Sequence, residues 1–203
     1  MIRCVAFDFG EVLSSPDDLY TAPAARLGVD SAAYEASYWE GRRAYDNGGS
    51  DASYWTPLLT RLGKRPSPEL ITEMAHLDAS LWARMRPAAR EILADVRLGG
   101  TKVAILSNAP FVLDMTFAQS DYAEDADYWF VSASMGMSKP DLGVYLRVEE
   151  VTECTGGEIA FVDDRPENVH AARERGWLAH LFVSDEDTRS WLGEIGVLAD
   201  HES

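Results

Sequence analysis

Four short stretches of the chain carry side chains able to act together. Asp8 follows an apolar run in "RCVAFDFGEVLSS", and Ser107 and Asn108 close "KVAILSN". Lys139 stands in "MGMSKPD", and Asp163 and Asp164 follow "EIAFV". Two carboxylates with water can hold Mg²⁺. Asp8 could then attack an electrophilic phosphorus as a covalent nucleophile, while Lys139 and the Ser107 hydroxyl neutralise and hydrogen-bond the transferring oxygens. Singly, each stretch has a plainer reading. Asp8 suits a turn, Asp163-Asp164 suits the cap of a helix with Pro166 in its first turn, Lys139 suits a solvated loop, and Ser107-Asn108 suits a strand-to-loop transition. Their order along the chain is what joins them.

Strands are needed to bring these residues to one place. Apolar or β-branched runs stand at 2–7, 102–107, 158–162 and 178–183, with a weaker one at 128–134, and helical patterns at 88–97, 142–153 and 166–176 lie between them. Strands alternating with helices predict an α/β fold, a doubly wound and mostly parallel Rossmann-like sheet of five or six strands. Ligands of such sheets sit outside the carboxyl ends of the strands, where the strand order reverses. That rule gathers Asp8, Ser107, Asn108, Lys139, Asp163 and Asp164 around one crevice. Residues 16–86 break the alternation. Helix-period segments are predicted at about 17–27, 31–45, 51–62 and 67–84, each preceded by a capping Asp or Ser. The expected organisation is a core of residues 1–15 and 87–203 with an α-helical cap, 16–86, inserted after the first strand.

In that order, "FDFGEVL", "ILSNA", "SMGMSKPD" and "FVDDRPENV" resemble the four motifs of the haloacid dehalogenase-like (HAD) hydrolase superfamily. The helical insertion resembles the C1-type cap of its subfamily I. The resemblance runs from about residue 3 to 183. It implies that Asp8 is the nucleophile, that Ser107 and Asn108 bind phosphate, and that Lys139 stabilises the nucleophile and the phosphoryl charge. It also implies Mg²⁺ held by Asp164, with Asp163 beside it, by Asp8 and by the Gly10 carbonyl. The activity implied is Mg²⁺-dependent hydrolysis of a small phosphorylated metabolite, a sugar phosphate or nucleotide, through an aspartyl-phosphate.

Position 10 departs from the pattern. Phosphatases of this superfamily usually carry there a second aspartate, an acid–base whose help is worth typically ~10²–10⁴-fold. Gly10 supplies none. Three readings stay open: a phosphatase of the D-x-G-x-V subset, a metal-independent 2-haloacid dehalogenase, or a weak relative that binds a phosphorylated ligand or a protein. The paired acids Asp163-Asp164 weigh against the dehalogenase. Glu11 is one residue beyond the missing acid, and alternation along a strand would turn it away from Asp8.

Within "YWEGRRAYDNG", Arg42 or Arg43 could clamp a distal anionic group and Trp39 could form a stacking wall, or these residues could serve the packing and solvation of the helices, as Tyr45, Tyr54 and Trp55 would. Ser14 and Ser15 stand at the hinge into the insertion, and His76 reads as a packed or surface residue. Across 203 residues, 34 acidic against 18 basic side chains give a formal charge of −16, which argues against nucleic acid and anionic membrane as partners. An anionic substrate would then need a local cation, which a bound metal could supply. Cys4 and Cys154 have no metal-site spacing and read as reduced thiols. Asp8 interrupts any signal-peptide core and no run reaches 18 apolar residues, so the cytoplasm is the expected location, with the protein a monomer or homodimer.

Overall fold

In the computed structural model, which describes residues 1–199, successive residues of the first strand bury on opposite sides of a sheet. β1 (Cys4–Phe7) sends Val5 and Phe7 into one apolar cluster, and Cys4 and Ala6 into another. This is the period-two pattern of a sheet covered on both faces. β2 (Lys102–Ser107), β3 (Tyr128–Val131), β4 (Ile159–Asp163) and β5 (Leu178–Leu181) complete it among the described residues. The strand order is β3-β2-β1-β4-β5, with every pairing parallel. The fold is thus the doubly wound α/β sheet expected, with five strands.

Between β1 and β2 the chain forms α1 (Thr21–Leu27), α2 (Ser31–Tyr38), α3 (Arg42–Asp46), α4 (Asp51–Arg61), α5 (Pro68–Trp82) and α6 (Pro87–Leu98). α7 (Phe111–Ala118) leads to β3, and α8 (Ser132–Met135) and α9 (Leu142–Thr152) lead to β4. α10 (Pro166–Glu174) leads to β5, and α11 (Asp185–Glu194) follows. α6 packs Ile92, Leu93 and Val96 on one face of the sheet, while α9 and α10 pack Val144, Val148, Val169 and Ala172 on the other. Cys4 and Cys154 are free thiols buried on that second face. No helix among the described residues is long and apolar enough to cross a membrane.

Three helices of the insertion start as their cap residues dictate. Asp30, Ser50 and Ser67 accept from the backbone N–H groups of Ala33, Ser53 and Leu70. α1 starts only at Thr21, after a turn, and among the described residues no side chain caps it. The single helix expected over 31–45 is two. Gly41 sits at φ 78° between α2 and α3, a left-handed backbone that glycine adopts without penalty and that ends the helix. These helices do not form a separate core. Tyr34, Trp55, Met74 and Leu81 share one apolar cluster with Val5 and Phe7 of β1, joined through Phe9, Val12 and Leu13.

The chain steps outward from β1 to β2 and β3, then returns to the far side of β1 for β4 and β5. The reversal lies between β1 and β4, whose register pairs Phe7 with Val162. Asp8 and Asp163 therefore emerge side by side at the switch point.

Candidate active site

Asp8 is buried at the tip of β1, where its N–H donates to the Val162 carbonyl at 2.9 Å. Its Oδ1 accepts from the Phe9 N–H at 2.7 Å and lies 2.9 Å from Lys139 Nζ. The Lys139 ammonium, itself buried, donates to Asp163 Oδ2 at 2.7 Å, so one cation bridges two strand-end carboxylates. Asp163 Oδ1 also accepts from the Arg165 N–H and from Asn168 Nδ2, each at 2.9 Å. Burial alone would lower the Lys139 pKa, but Asp163 and Asp8 outweigh it and raise it, so the group stays an ammonium. Burial pushes the Asp8 carboxyl up to about 8 against the pull of Lys139, with Asp163 adding to the rise. The Asp164 carboxyl is raised to about 6 by burial and by its neighbour Asp163.

A buried and a half-buried carboxyl raised in this way lack sufficient positive charge, and a divalent ion would provide it. Asp8, Asp163 and Asp164 each offer an oxygen, all within 4.8 Å of one another, and such hard oxygen donors suit Mg²⁺. The residues present fit the ion. Asp163, expected beside Asp164 as a ligand, differs from it: both of its oxygens already accept, from Lys139, Asn168 and the Arg165 backbone. Asn108, expected to bind phosphate, has its side chain on Lys139. Its Nδ2 donates to the Lys139 carbonyl and its Oδ1 accepts from the Lys139 N–H, both at 2.9 Å. The amide thereby fixes the lysine backbone. Ser107 is buried as the last residue of β2, beside it.

Every residue expected in the site except Asp163 lines one cavity of about 640 Å³ between the strand tips and the inserted helices. Trp39 forms part of the wall, 55% exposed, its Nε1 donating to the Tyr20 hydroxyl at 3.0 Å. Arg42 is only 6% exposed and is held from three sides. Its Nε donates to Asp46 Oδ1 at 2.8 Å, and its Nη1 donates to Asp78 Oδ2 at 3.0 Å and to the Tyr38 hydroxyl. The arginine expected to clamp a distal anion is thus neutralised by two carboxylates of its own helices. Arg43 has a side chain 77% exposed and lies 3.9 Å from Asp141. Burial raises the Asp46 carboxyl to about 6, against the pull of Arg42.

Glu11 corrects the strand-based expectation. β1 ends at Phe7 and Glu11 has φ 58°, so side-chain alternation stops before it, and Glu11 lines the same cavity as Asp8. Its carboxylate accepts from the Ser15 hydroxyl at 2.7 Å. Ser14 is buried, its hydroxyl without a hydrogen-bond partner among the described residues, and His76 is on the surface.

The space beside Gly10 is filled. A Cβ there would stand 3.3 Å from Trp82 Cζ3. Trp82 is 6% exposed, and its Nε1 donates to the Tyr38 hydroxyl at 2.8 Å, which donates in turn to Asp78 Oδ1 at 2.6 Å. Sequence reasoning missed Trp82, Asp46, Asp78 and Asn168. Asn168 had a signal, since it stands in "FVDDRPENV" within the first turn of the helix that follows Asp163. The others had none, because only the packing of the insertion brings them to the strand tips.

The fold defined by this sheet, its switch-point carboxylates and its inserted helices is that of the haloacid dehalogenase-like hydrolases, the superfamily that the four motifs resemble. No family model matches the chain. In sequence, it is 36% identical over 104 residues to a sesquiterpene phosphatase of Aspergillus oryzae, a match covering 50% of this chain and 53% of the relative. It is 28% identical over 134 residues to a phosphatase of Mycobacterium tuberculosis, covering 63% and 62%. The chain thus spans less than two thirds of either relative. In structure, a HAD family enzyme of Bacteroides thetaiotaomicron in its magnesium complex superposes with TM-score 0.73 at 19% identity, over 94% of this chain and 98% of that one. The same enzyme has also been crystallised with magnesium and inorganic phosphate. The L-2-haloacid dehalogenase of Xanthobacter autotrophicus, with chloropropionic acid covalently bound, superposes with TM-score 0.73 at 24% identity, over 98% and 85%.

Proposed function

We propose that the protein is a Mg²⁺-dependent hydrolase of small phosphomonoesters that works through an aspartyl-phosphate on Asp8. The observation that carries this is the buried Asp8 carboxylate at the β1/β4 switch point, bridged by Lys139 to Asp163 with Asp164 within reach of the same cation. Phe9 N–H and Lys139 hold Oδ1 of Asp8, which leaves Oδ2 to attack phosphorus while the bond to the alcohol oxygen breaks, that oxygen keeping the electron pair and taking its proton from water. Lys139 and the Ser107 hydroxyl donate to the phosphoryl oxygens as charge builds on them. Asn108 and Asn168 keep Lys139 and Asp163 in place. Asp8, Asp164 and the Gly10 carbonyl would hold Mg²⁺, which when bound supplies the positive charge that an anion needs among these carboxylates. Water cleaves the acyl phosphate and returns the free carboxylate. The inserted helices act as a C1-type cap that excludes bulk water during the first step. The two phosphatases among the relatives and the magnesium- and phosphate-bound HAD enzyme support the reading.

The test is phosphate release from 4-nitrophenyl phosphate, abolished by EDTA, restored by Mg²⁺ and lost in Asp8→Asn. An Asp8→Asn variant that turns over at the wild-type rate would overturn the proposal. Gly10 favours one second reading, since halide departure from carbon needs no acid. Chloride release from 2-chloropropionate, indifferent to EDTA and faster than any phosphate release, would select the dehalogenase instead.

A further inference from the structure

The cavity's charge and its walls say more about the alcohol half of the ester than about the phosphate. Among the described residues, each arginine on the wall already faces a carboxylate. Arg42 has Asp46 at 2.8 Å and Asp78 at 3.0 Å, Arg43 has Asp141 at 3.9 Å, and Arg165 has Glu167 at 2.8 Å. Lys139 is shared between Asp8 and Asp163. Arg42 is buried against its two carboxylates, whereas Arg43 and Arg165 pair at exposed positions, and the chain as a whole carries a formal charge of −16.

Apolar side chains make up part of the wall away from the strand tips. Trp39, Trp82, Leu113 and Pro140 line the cavity. Trp82 also lies over Gly10, beside the nucleophile, where its ring carbons Cζ3, Cε3 and Cη2 stand 3.3, 3.7 and 3.8 Å from a Cβ built on that glycine. Its one polar atom points away, donating to Tyr38. The group next to the nucleophile that meets the leaving part of the substrate is therefore a carbon edge in place of a carboxylate. Several polar groups of the lining that could meet sugar hydroxyls are engaged: Glu11 accepts from Ser15, Trp39 Nε1 donates to Tyr20, and the Arg42 guanidinium serves Asp46, Asp78 and Tyr38.

Resting on the hydrolase reading above, we propose that the preferred substrate is the phosphate monoester of an uncharged, largely apolar alcohol seated against Trp39 and Trp82, in place of the sugar phosphate or nucleotide expected from the sequence. The cavity volume falls within the range of sites for small organic ligands, ~300–1,000 Å³. Each methylene that leaves water for such a wall tightens binding about fourfold.

The experiment separates this from catalysis by using phosphonates that cannot be hydrolysed. Calorimetry in Mg²⁺ compares methylphosphonate, hexylphosphonate, 2-naphthylmethylphosphonate and the isosteric phosphonate of glucose 6-phosphate. Hexyl and naphthylmethyl are expected to bind at least about tenfold tighter than methyl, with the glucose isostere no tighter than methyl. Trp39→Ala, checked for unchanged melting temperature, should cut the naphthylmethyl-to-methyl ratio by about tenfold. If the glucose isostere binds tightest, or the ratio survives Trp39→Ala, the inference is overturned. Phosphate release is scored separately. Tight apolar binding without turnover of either hexyl phosphate or 4-nitrophenyl phosphate removes the hydrolase reading and leaves the pocket preference standing, whereas turnover favouring glucose 6-phosphate removes the preference alone.

Discussion

Adding one carbon at position 10 tests whether Trp82 occupies the place of the missing acid. In Gly10→Ala the new Cβ would meet Trp82 Cζ3 at 3.3 Å, a few tenths of an ångström inside an ordinary carbon contact of about 3.5–4.0 Å. The indole cannot move aside freely, because its Nε1 is tied to Tyr38, which is held by Asp78 and Arg42. Overpacking a site of this kind costs about 1–3 kcal/mol. Gly10 is not among the glycines in the left-handed region, so alanine suits its backbone and returns about 0.4–1 kcal/mol through the unfolded chain. The net expectation is a loss of roughly 1–2 kcal/mol. Urea denaturation of wild type, Gly10→Ala, Trp82→Phe and the double variant gives a thermodynamic cycle. Shrinking the ring relieves the contact, so the pair should couple by about 1 kcal/mol, well outside the ~0.5 kcal/mol scatter of independent sites. Additive effects, or a Gly10→Ala variant more stable than wild type by the backbone term alone, would refute the reasoning.

Three further outcomes follow from the same geometry. Asn168→Ala removes both of that residue's contacts to Asp163, so the Mg²⁺ concentration for half-maximal phosphate release should rise about 10–100-fold; an unchanged titration would show that Asn168 does not support the site. Arg42→Met leaves Asp78, 1% exposed, without its counter-ion, and urea denaturation should show a loss of about 3–5 kcal/mol; a variant of wild-type stability with a raised KM would instead return Arg42 to substrate binding. Burial alone would raise the Glu149 carboxyl, but hydrogen bonds from Arg175 and Trp177 outweigh it and hold it below its ordinary value of 4.5. The folded state then binds fewer protons than the unfolded one, so stability present above pH 4.5 is lost as pH falls through the lowered folded value. Glu149→Gln should flatten that part of the urea-midpoint curve, and an unaltered acid limb would discard the assignment.

The sequence by itself determined the sheet and the tips of its strands. Val5, Phe7, Val103 and Ile105 alternate with Cys4, Ala6, Ala104 and Leu106 between the two faces, a local pattern that needs no partner to be read. The rule for open sheets then gathered Asp8 and Asp163 at one crevice, and the pairing of β1 with β4 set them side by side. The insertion was readable as helices because Asp30, Ser50 and Ser67 cap within their own neighbourhoods, although Gly41 divided one of them. Tertiary structure alone decided what each charged group faces. Asp163 and Asp164 are adjacent and chemically identical, yet one accepts from Lys139 and Asn168 while the other lines the cavity. Arg42 looked free to grip a substrate until α5 brought Asp78 against it, and Gly10 looked merely deficient until the last residue of that helix covered it. Periodicity fixes which side of an element a residue occupies, whereas a buried charge takes its character from whatever the packing of distant segments sets beside it.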